Sequence, residues 1–264
     1  MNWSLSAFAD EIDADLDVQF ANLKENEINL VDTRSAFGKN VMALTDYEAN
    51  GYRLKASEYG VFINCVGSPV NKVVMAESPA EDELEKLRRA IDIAKIVGTN
   101  RVRIFTPEGE DFDAVCAWME PQINLAAKHN FVLMHENDAK YFGAYPDQAK
   151  KLLDRFASPN FRFAFDFANT VQIGFRAMED WFPWLLPHLE TIHIKDARDD
   201  KKVVPAGEGV GQVPETLEWL KGQSWNGILS IEPHLQFAGD RGGFSGIESF
   251  KIATDAIKGI LQKL

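Results

Sequence analysis

Short apolar runs alternate with longer amphipathic ones along the chain, and the alternation repeats eight times. This rhythm predicts βα units that build a parallel sheet. The strand-sized runs are Trp3 to Phe8, Ile28 to Thr33, Val61 to Val66, Arg101 to Phe105, Phe131 to Glu136, Phe161 to Asp166, Thr191 to Lys195 and Ile228 to Glu232. Each is rich in β-branched or aromatic residues, which suit a pleated, packed surface. The clearest helix runs from Glu81 to Val97. There Leu84, Leu87, Ile91, Ala94 and Ile96 recur at roughly 3.6 residues behind the acidic start Glu81-Asp82-Glu83, and Gly98 ends the run. The stretches Asp111 to His129, Pro146 to Phe156 and Gly246 to Leu264 behave alike, and Pro214 stands where a first helical position tolerates it. Only Gln172 to Pro187 reads as irregular.

Eight strands in strict alternation with helices can close into a barrel, whereas an open doubly wound sheet usually has fewer strands and a glycine-rich first turn. Here the first turn is Ala9-Asp10-Glu11-Ile12-Asp13, without glycine. The expected fold is therefore α/β, a single (β/α)8 barrel occupying residues 1–264 as one domain. The chain's 264 residues fit that fold without a second domain.

Four consecutive strands each finish on a side chain able to bind a metal: Glu136 on the fifth, Asp166 on the sixth, His193 on the seventh and Glu232 on the eighth. Alternation of side chains along a strand sharpens the pattern. If these four point inward, then Phe131, Leu133, Phe163, Phe165, Ile192, Ile194, Leu229 and Ile231 point outward, and all of those are large and apolar. Beneath the four lie Ala164, Thr191 and Ser230, small enough to leave a cavity at the C-terminal mouth, where barrel enzymes place their chemistry. Three converging carboxylates repel one another without a cation. An oxygen-rich set with one imidazole suits a single divalent ion, Mn²⁺ foremost, with Mg²⁺, Co²⁺ or Zn²⁺ also accommodated.

Composition narrows the alternatives. The 28 Lys plus Arg against 40 Asp plus Glu give a net charge of −12 with no basic stripe, so nucleic acid is not an expected partner. No apolar run approaches the roughly 20 residues that span a bilayer, and Met1-Asn2-Trp3-Ser4 carries no basic segment ahead of an apolar one. A cytoplasmic protein with no membrane partner is expected. Its two cysteines, Cys65 and Cys116, read as buried thiols, not as a disulfide framework.

Secondary candidates surround the four. Arg34 and Lys72 follow the second and third strands and would sit above the mouth, either binding a substrate oxygen or carboxylate, or pairing with a rim acid such as Asp10 or Glu11. His135, Asn137, Asn169 and His234 flank the proposed ligands and could orient hydroxyl groups, although His135 has outward parity that suits packing toward the helices. The glycine-rich Pro205 to Gly211 segment follows the seventh strand and reads as a rim loop.

The motifs Phe8-Ala9-Asp10-Glu11-Ile12, Gly67-Ser68-Pro69, His193-Ile194-Lys195-Asp196-Ala197 and Glu232-Pro233-His234-Leu235 together resemble the xylose isomerase-like TIM barrels, the sugar phosphate isomerases and epimerases. That group includes ketose 3-epimerases, inosose isomerases and dehydratases and, more remotely, endonuclease IV. The resemblance implies one metal on Glu136, Asp166, His193 and Glu232. It further implies isomerase or epimerase chemistry on a small polyhydroxylated carbonyl compound, through a metal-bound enediolate with Glu136 and Glu232 as acid and base. A dehydratase acting on a keto-sugar or inosose, and a sugar-binding barrel without turnover, are the alternatives, and the oligomeric state, homo-oligomer included, stays open. Two departures bear on substrate. Asn169 stands where epimerases and endonuclease IV have a His, which counts against a multi-zinc endonuclease. Asp199 stands where epimerases tend to have Arg, with Arg198 one place early.

Overall fold

The computed structural model describes residues 3–235 and 245–264. Met1 and Asn2, where the expectation of no secretory signal partly falls, lie outside them, as does part of the expected 1–264 domain. Eight parallel strands form a nearly closed barrel: β1 (Ser4–Ala7), β2 (Leu30–Thr33), β3 (Phe62–Gly67), β4 (Arg101–Ile104), β5 (Val132–Glu136), β6 (Phe161–Asp166), β7 (Leu189–Ile194) and β8 (Ile228–Ile231). The hydrogen-bonded order runs β1-β8-β7-β6-β5-β4-β3-β2, and β1 packs beside β2 to complete the ring. Every strand predicted from the apolar runs is present. Among the described residues, no helix is long and apolar enough to cross a membrane.

The helices start and stop where local chemistry dictates. Asp15 caps α1 (Leu16–Glu25) by accepting from the amides of Asp17 and Val18. Thr45 and Glu48 make a reciprocal capping box at the start of α2 (Asp46–Glu58). In α3 (Ala80–Val97) three acidic residues fill the first turn, and Gly98 leaves it at φ +89°, a left-handed conformation that glycine adopts without steric cost. Asp111 caps α4 (Phe112–His129), which continues through Pro121, while proline begins α5 (Pro146–Phe156). The stretch read as irregular holds α6 (Phe167–Gln172) at its edge, then a wide π-type turn, Ala177–Trp181, and the single turn α7 (Phe182–Leu185). Aromatic packing there explains the lost periodicity, since Trp181 and Phe182 are buried together with Leu185. Pro214 enters the first turn of α8 (Val213–Gly222), and α9 (Gly246–Leu261) closes the chain.

Strand alternation divides the core in two. The outward residues Leu133, Phe163, Phe165, Ile192, Ile194, Leu229 and Ile231 join one large apolar cluster beneath the helices. A separate small cluster, Cys65, Met134 and Ala164 with Val132 against it, fills the barrel interior between β3, β5 and β6. On the β1, β2 and β8 side the interior is polar. Asp32 accepts from Asn64 Nδ2 at 2.6 Å and from the Ser230 hydroxyl, and all three are buried. Burial pushes the Asp32 carboxyl above its usual range, against the hydrogen bonds it receives. The barrel is a packed floor, and the space lies at its mouth.

Candidate metal centre and substrate pocket

Glu136 ends β5, Asp166 ends β6, His193 lies one residue before the end of β7, and Glu232 follows β8 directly. Asp166 pairs in register with His193, while Glu136 pairs with Ala164 and His193 with Ser230, each two residues before another of the four. One ligand atom from each lies within 4.8 Å of the other three, and none of the four residues is more than 5% exposed. His193 Nδ1 stands 3.4 Å from Glu136 Oε1, 3.7 Å from Glu232 Oε2 and 3.9 Å from Asp166 Oδ2. Asp166 also accepts the amide of Asn169, so one carboxylate both faces the centre and caps α6.

The charges show what these groups do to one another. Burial works against a charged His193 ring, yet the carboxylates of Glu136, Glu232 and Asp166 outweigh it and raise its pKa. For Glu136, burial is overcome by His193 and Arg103, which hold the carboxyl down at about 2. Burial, only partly offset by Lys195 and reinforced by the neighbouring glutamates, lifts Asp166 to about 6. Carboxylates this close divide into acids of unequal strength, as like charges at one site do.

Whether the residues fit a metal can be tested on their own hydrogen bonding. His193 Nδ1, buried among three carboxylates, has no hydrogen-bond partner among the described residues. Glu136 Oε2 and Asp166 Oδ2 are approached by Arg103 Nη1 at 3.0 Å and Lys195 Nζ at 2.9 Å, but neither approach is aligned as a hydrogen bond. A buried polar atom without a partner costs about 1–3 kcal/mol. Three of them in one cluster, with a nitrogen and oxygens as donors, fit a divalent cation.

Cations ring this cluster. Arg34 contacts Glu232 Oε1 at 3.0 Å, Asp10 Oδ2 at 2.9 Å and Glu11 Oε1 at 3.3 Å, so it both pairs with rim acids and holds a proposed ligand. Lys195 Nζ bridges Asp166 Oδ2 and Glu232 Oε2, 2.9 Å from each. The cavity at the mouth, about 390 Å³, is lined by Arg34, Lys72, Arg103, Lys195, Asn169 and His234 along with Glu136 and Glu232. Asn169 Nδ2 donates to the Asn137 carbonyl at 2.9 Å, and His234 Nδ1 lies 3.0 Å from Glu11 Oε1.

Two of the flanking candidates, His135 and Asn137, do not line the cavity. The His135 ring is turned to the helix layer, 3.2 Å from Thr106 Oγ1 and packed on Phe161 and Phe163. Burial drops its pKa to about 4. Asn137 spends its side chain on its own scaffold, donating to the Asp166 carbonyl and Thr170 Oγ1 and accepting the Asp166 amide. Both flank the inward Glu136, and the alternation that turns Glu136 in turns its neighbours out. Arg103 and Lys195 are the residues at the mouth that motif reasoning passed over. Parity exposes both, since Lys195 stands two residues beyond His193 and Arg103 pairs in register with the inward Met134. Arg198 and Asp199 are exposed, and neither lines the cavity.

The rim loop is accounted for by its amides. Gly207, Gly209 and Gly211 all donate their N–H groups to the carboxylate of Asp196. Side chains at Gly209 and Gly211 would collide with Asp196 and the Ala197 carbonyl, so glycine is needed for this close wrap. The loop encloses an anion that the chain itself provides, and its amides are not available to a phosphate.

The family described as Xylose isomerase-like TIM barrel matches residues 20–248 of the chain. Among solved structures, a D-tagatose 3-epimerase-like protein superposes with a TM-score of 0.77 at 17% identity, covering 100% of this chain and 98% of that one. The probable 3-DHS dehydratase AsbF of petrobactin synthesis from Bacillus anthracis gives 0.75 at 16% identity, covering 98% and 99%. A xylose isomerase-like TIM barrel protein from Mycobacterium smegmatis in complex with magnesium gives 0.73 at 15% identity, covering 99% and 97%. At these identities the likeness is one of fold. No curated protein matches the chain in sequence.

Proposed function

We propose, from the premise that this chain belongs to the xylose isomerase-like TIM barrel family, that it is a divalent-metal-dependent isomerase or epimerase of a small polyhydroxylated carbonyl compound. The observation that carries this is the unpartnered His193 Nδ1 at the centre of three buried carboxylates. Glu136, Asp166, His193 and Glu232 would hold the ion, with Mn²⁺ foremost for so oxygen-rich a set and Mg²⁺, Co²⁺ or Zn²⁺ as substitutes. When bound, the metal supplies a Lewis acid that polarises a carbonyl.

The proton chemistry falls to the chain's own residues. Glu136 and Glu232 enter the cavity from β5 and from the end of β8, so each reaches it from its own side. One carboxylate takes a proton from the carbon beside the carbonyl. The other returns one, to the same carbon for epimerisation or to its neighbour for isomerisation. Arg103 orients Glu136, while Arg34 and Lys195 orient the two oxygens of Glu232. Asn169 and His234 at the wall are placed to orient hydroxyl groups. A second reading is elimination: the Lys195 ammonium beside Glu232 hydrogen-bonds the departing hydroxyl, and the glutamate that took the carbon's proton returns it to that hydroxyl, which leaves as water.

Solvent exchange tests the reading. A true substrate, found on a panel of aldoses, ketoses and inososes, should take deuterium from D₂O at the carbon next to the carbonyl. Glu136→Gln and Glu232→Gln, each brought to full metal content, should lose about 10²-fold or more of that exchange. Their effects should not add, because the two act as one unit. Turnover at normal rate without solvent deuterium in both variants removes the acid–base assignment.

A further inference from the structure

The least satisfied cation at the mouth is Arg103. It is 5% exposed, and among the described residues its Nε has no hydrogen-bond partner. Its one acid contact among the described residues is Glu136 Oε2, one of the oxygens proposed for the metal. The rings of Phe105, 4.5 Å from the guanidinium carbon, and Phe8, 5.9 Å from it, pack against the group but accept no ordinary hydrogen bonds from its edge. Gly67 leaves room for it, since a Cβ there would stand 3.3 Å from Nη2. Lys72 packs on the same Phe105 ring, with Nζ 4.2 Å from the ring centre, and lines the same cavity.

The pairing of charges points the same way. Arg34 is offset by Asp10 and Glu11, and Lys72 by Asp138. Among the described residues, Arg103 and Lys195 contact no acids beyond Glu136, Asp166 and Glu232. An ion drawing on those carboxylates competes with Arg103 for Glu136, its single acid contact among the described residues. A planar guanidinium fork matches a carboxylate. Phosphate is the weaker match, because the glycine-rich loop beside the mouth already gives its amides to Asp196.

We propose that the substrate of this pocket carries a carboxylate, received by Arg103 with Lys72 beside it. This deepens the proposed function and rests on the mouth being the substrate site. The test is calorimetric titration of the Mn²⁺-loaded protein with pairs that differ only in a terminal carboxylate: D-fructuronate against D-fructose, D-tagaturonate against D-tagatose, and D-glucuronate against D-glucose. At least one acid should bind about 10-fold or more tightly than its neutral partner, and Arg103→Gln should bring the ratio to within about 2-fold. Arg103→Lys should retain part of the preference, and Lys72→Met should lower it by less than Arg103→Gln does. The ratio is internal to each protein, so partial misfolding or metal loss in a variant does not imitate the result.

No acid binding better than its neutral partner overturns the proposal, and so does a preference that survives Arg103→Gln. Tighter binding of fructose 6-phosphate than of fructuronate replaces the carboxylate with a phosphate and overturns it too. An acid preference in a protein that exchanges no solvent deuterium would remove the isomerase reading and leave this one standing.

Discussion

His135 and His193 are two histidines on barrel strands, each almost wholly buried, and their surroundings drive them in opposite directions. His135 faces the helix layer, where Thr106 and the rings of Phe161 and Phe163 surround it and burial keeps it neutral. His193 faces the mouth, where three carboxylates favour a charged ring and Nδ1 is left without a partner. Burial therefore does not identify a functional histidine. An unsatisfied atom held among like charges does, because folding alone would not keep that arrangement without a ligand to complete it.

The contrast can be broken by direct measurement. The largest effect is expected at the mouth: His193→Ala should weaken Mn²⁺ binding by at least about 100-fold. Equilibrium dialysis of both histidine variants reads this, with His135→Ala keeping wild-type affinity per folded molecule. Equal losses in the two would end the distinction between the faces.

A smaller effect, about 2 kcal/mol between pH 7 and pH 5, is expected from His135 in the metal-free protein. Its folded pKa, about 4, lies below the ordinary value of 6.5, so the unfolded chain binds more protons across that window. Its contribution to stability is thus full above about pH 6.5 and is lost as pH falls toward 4. Urea midpoints for wild type and His135→Gln should diverge accordingly, the variant losing less stability on acidification. Parallel pH profiles would mean that the ring is not held neutral.

The smallest change sharpens the comparison from the outward side. Asn137 does not line the cavity, yet it fixes the backbone of Asp166 from both directions. Asn137→Ala should weaken Mn²⁺ binding by about 10-fold, as loss of groups that orient metal ligands does. The same dialysis reads it, and unchanged affinity would show that Asp166 is positioned by its strand alone.

Local pattern carried much of the molecule. Strand-sized apolar runs located all eight barrel strands, and Asp111, Gly98 and Pro146 marked helix ends because caps act within a few residues of sequence. The stretch after β6 was illegible because its aromatic residues pack around a wide turn that has no 3.6-residue period. The convergence of Glu136, Asp166, His193 and Glu232 was also legible, since side-chain alternation and strand-end position are properties of each strand alone.

What tertiary structure decided is which distant groups answer those four. Lys195 meets Asp166 and Glu232, Arg103 meets Glu136, Arg34 reaches Glu232 across the β1 to β8 junction, and Asp32 meets Ser230 across the barrel floor. The sequence by itself determined the period and parity of each strand, because both arise between near neighbours in the chain. Only closure of the barrel decided the partners, because residues about 200 positions apart come together through the register and tilt of the whole ring and not through any local pattern.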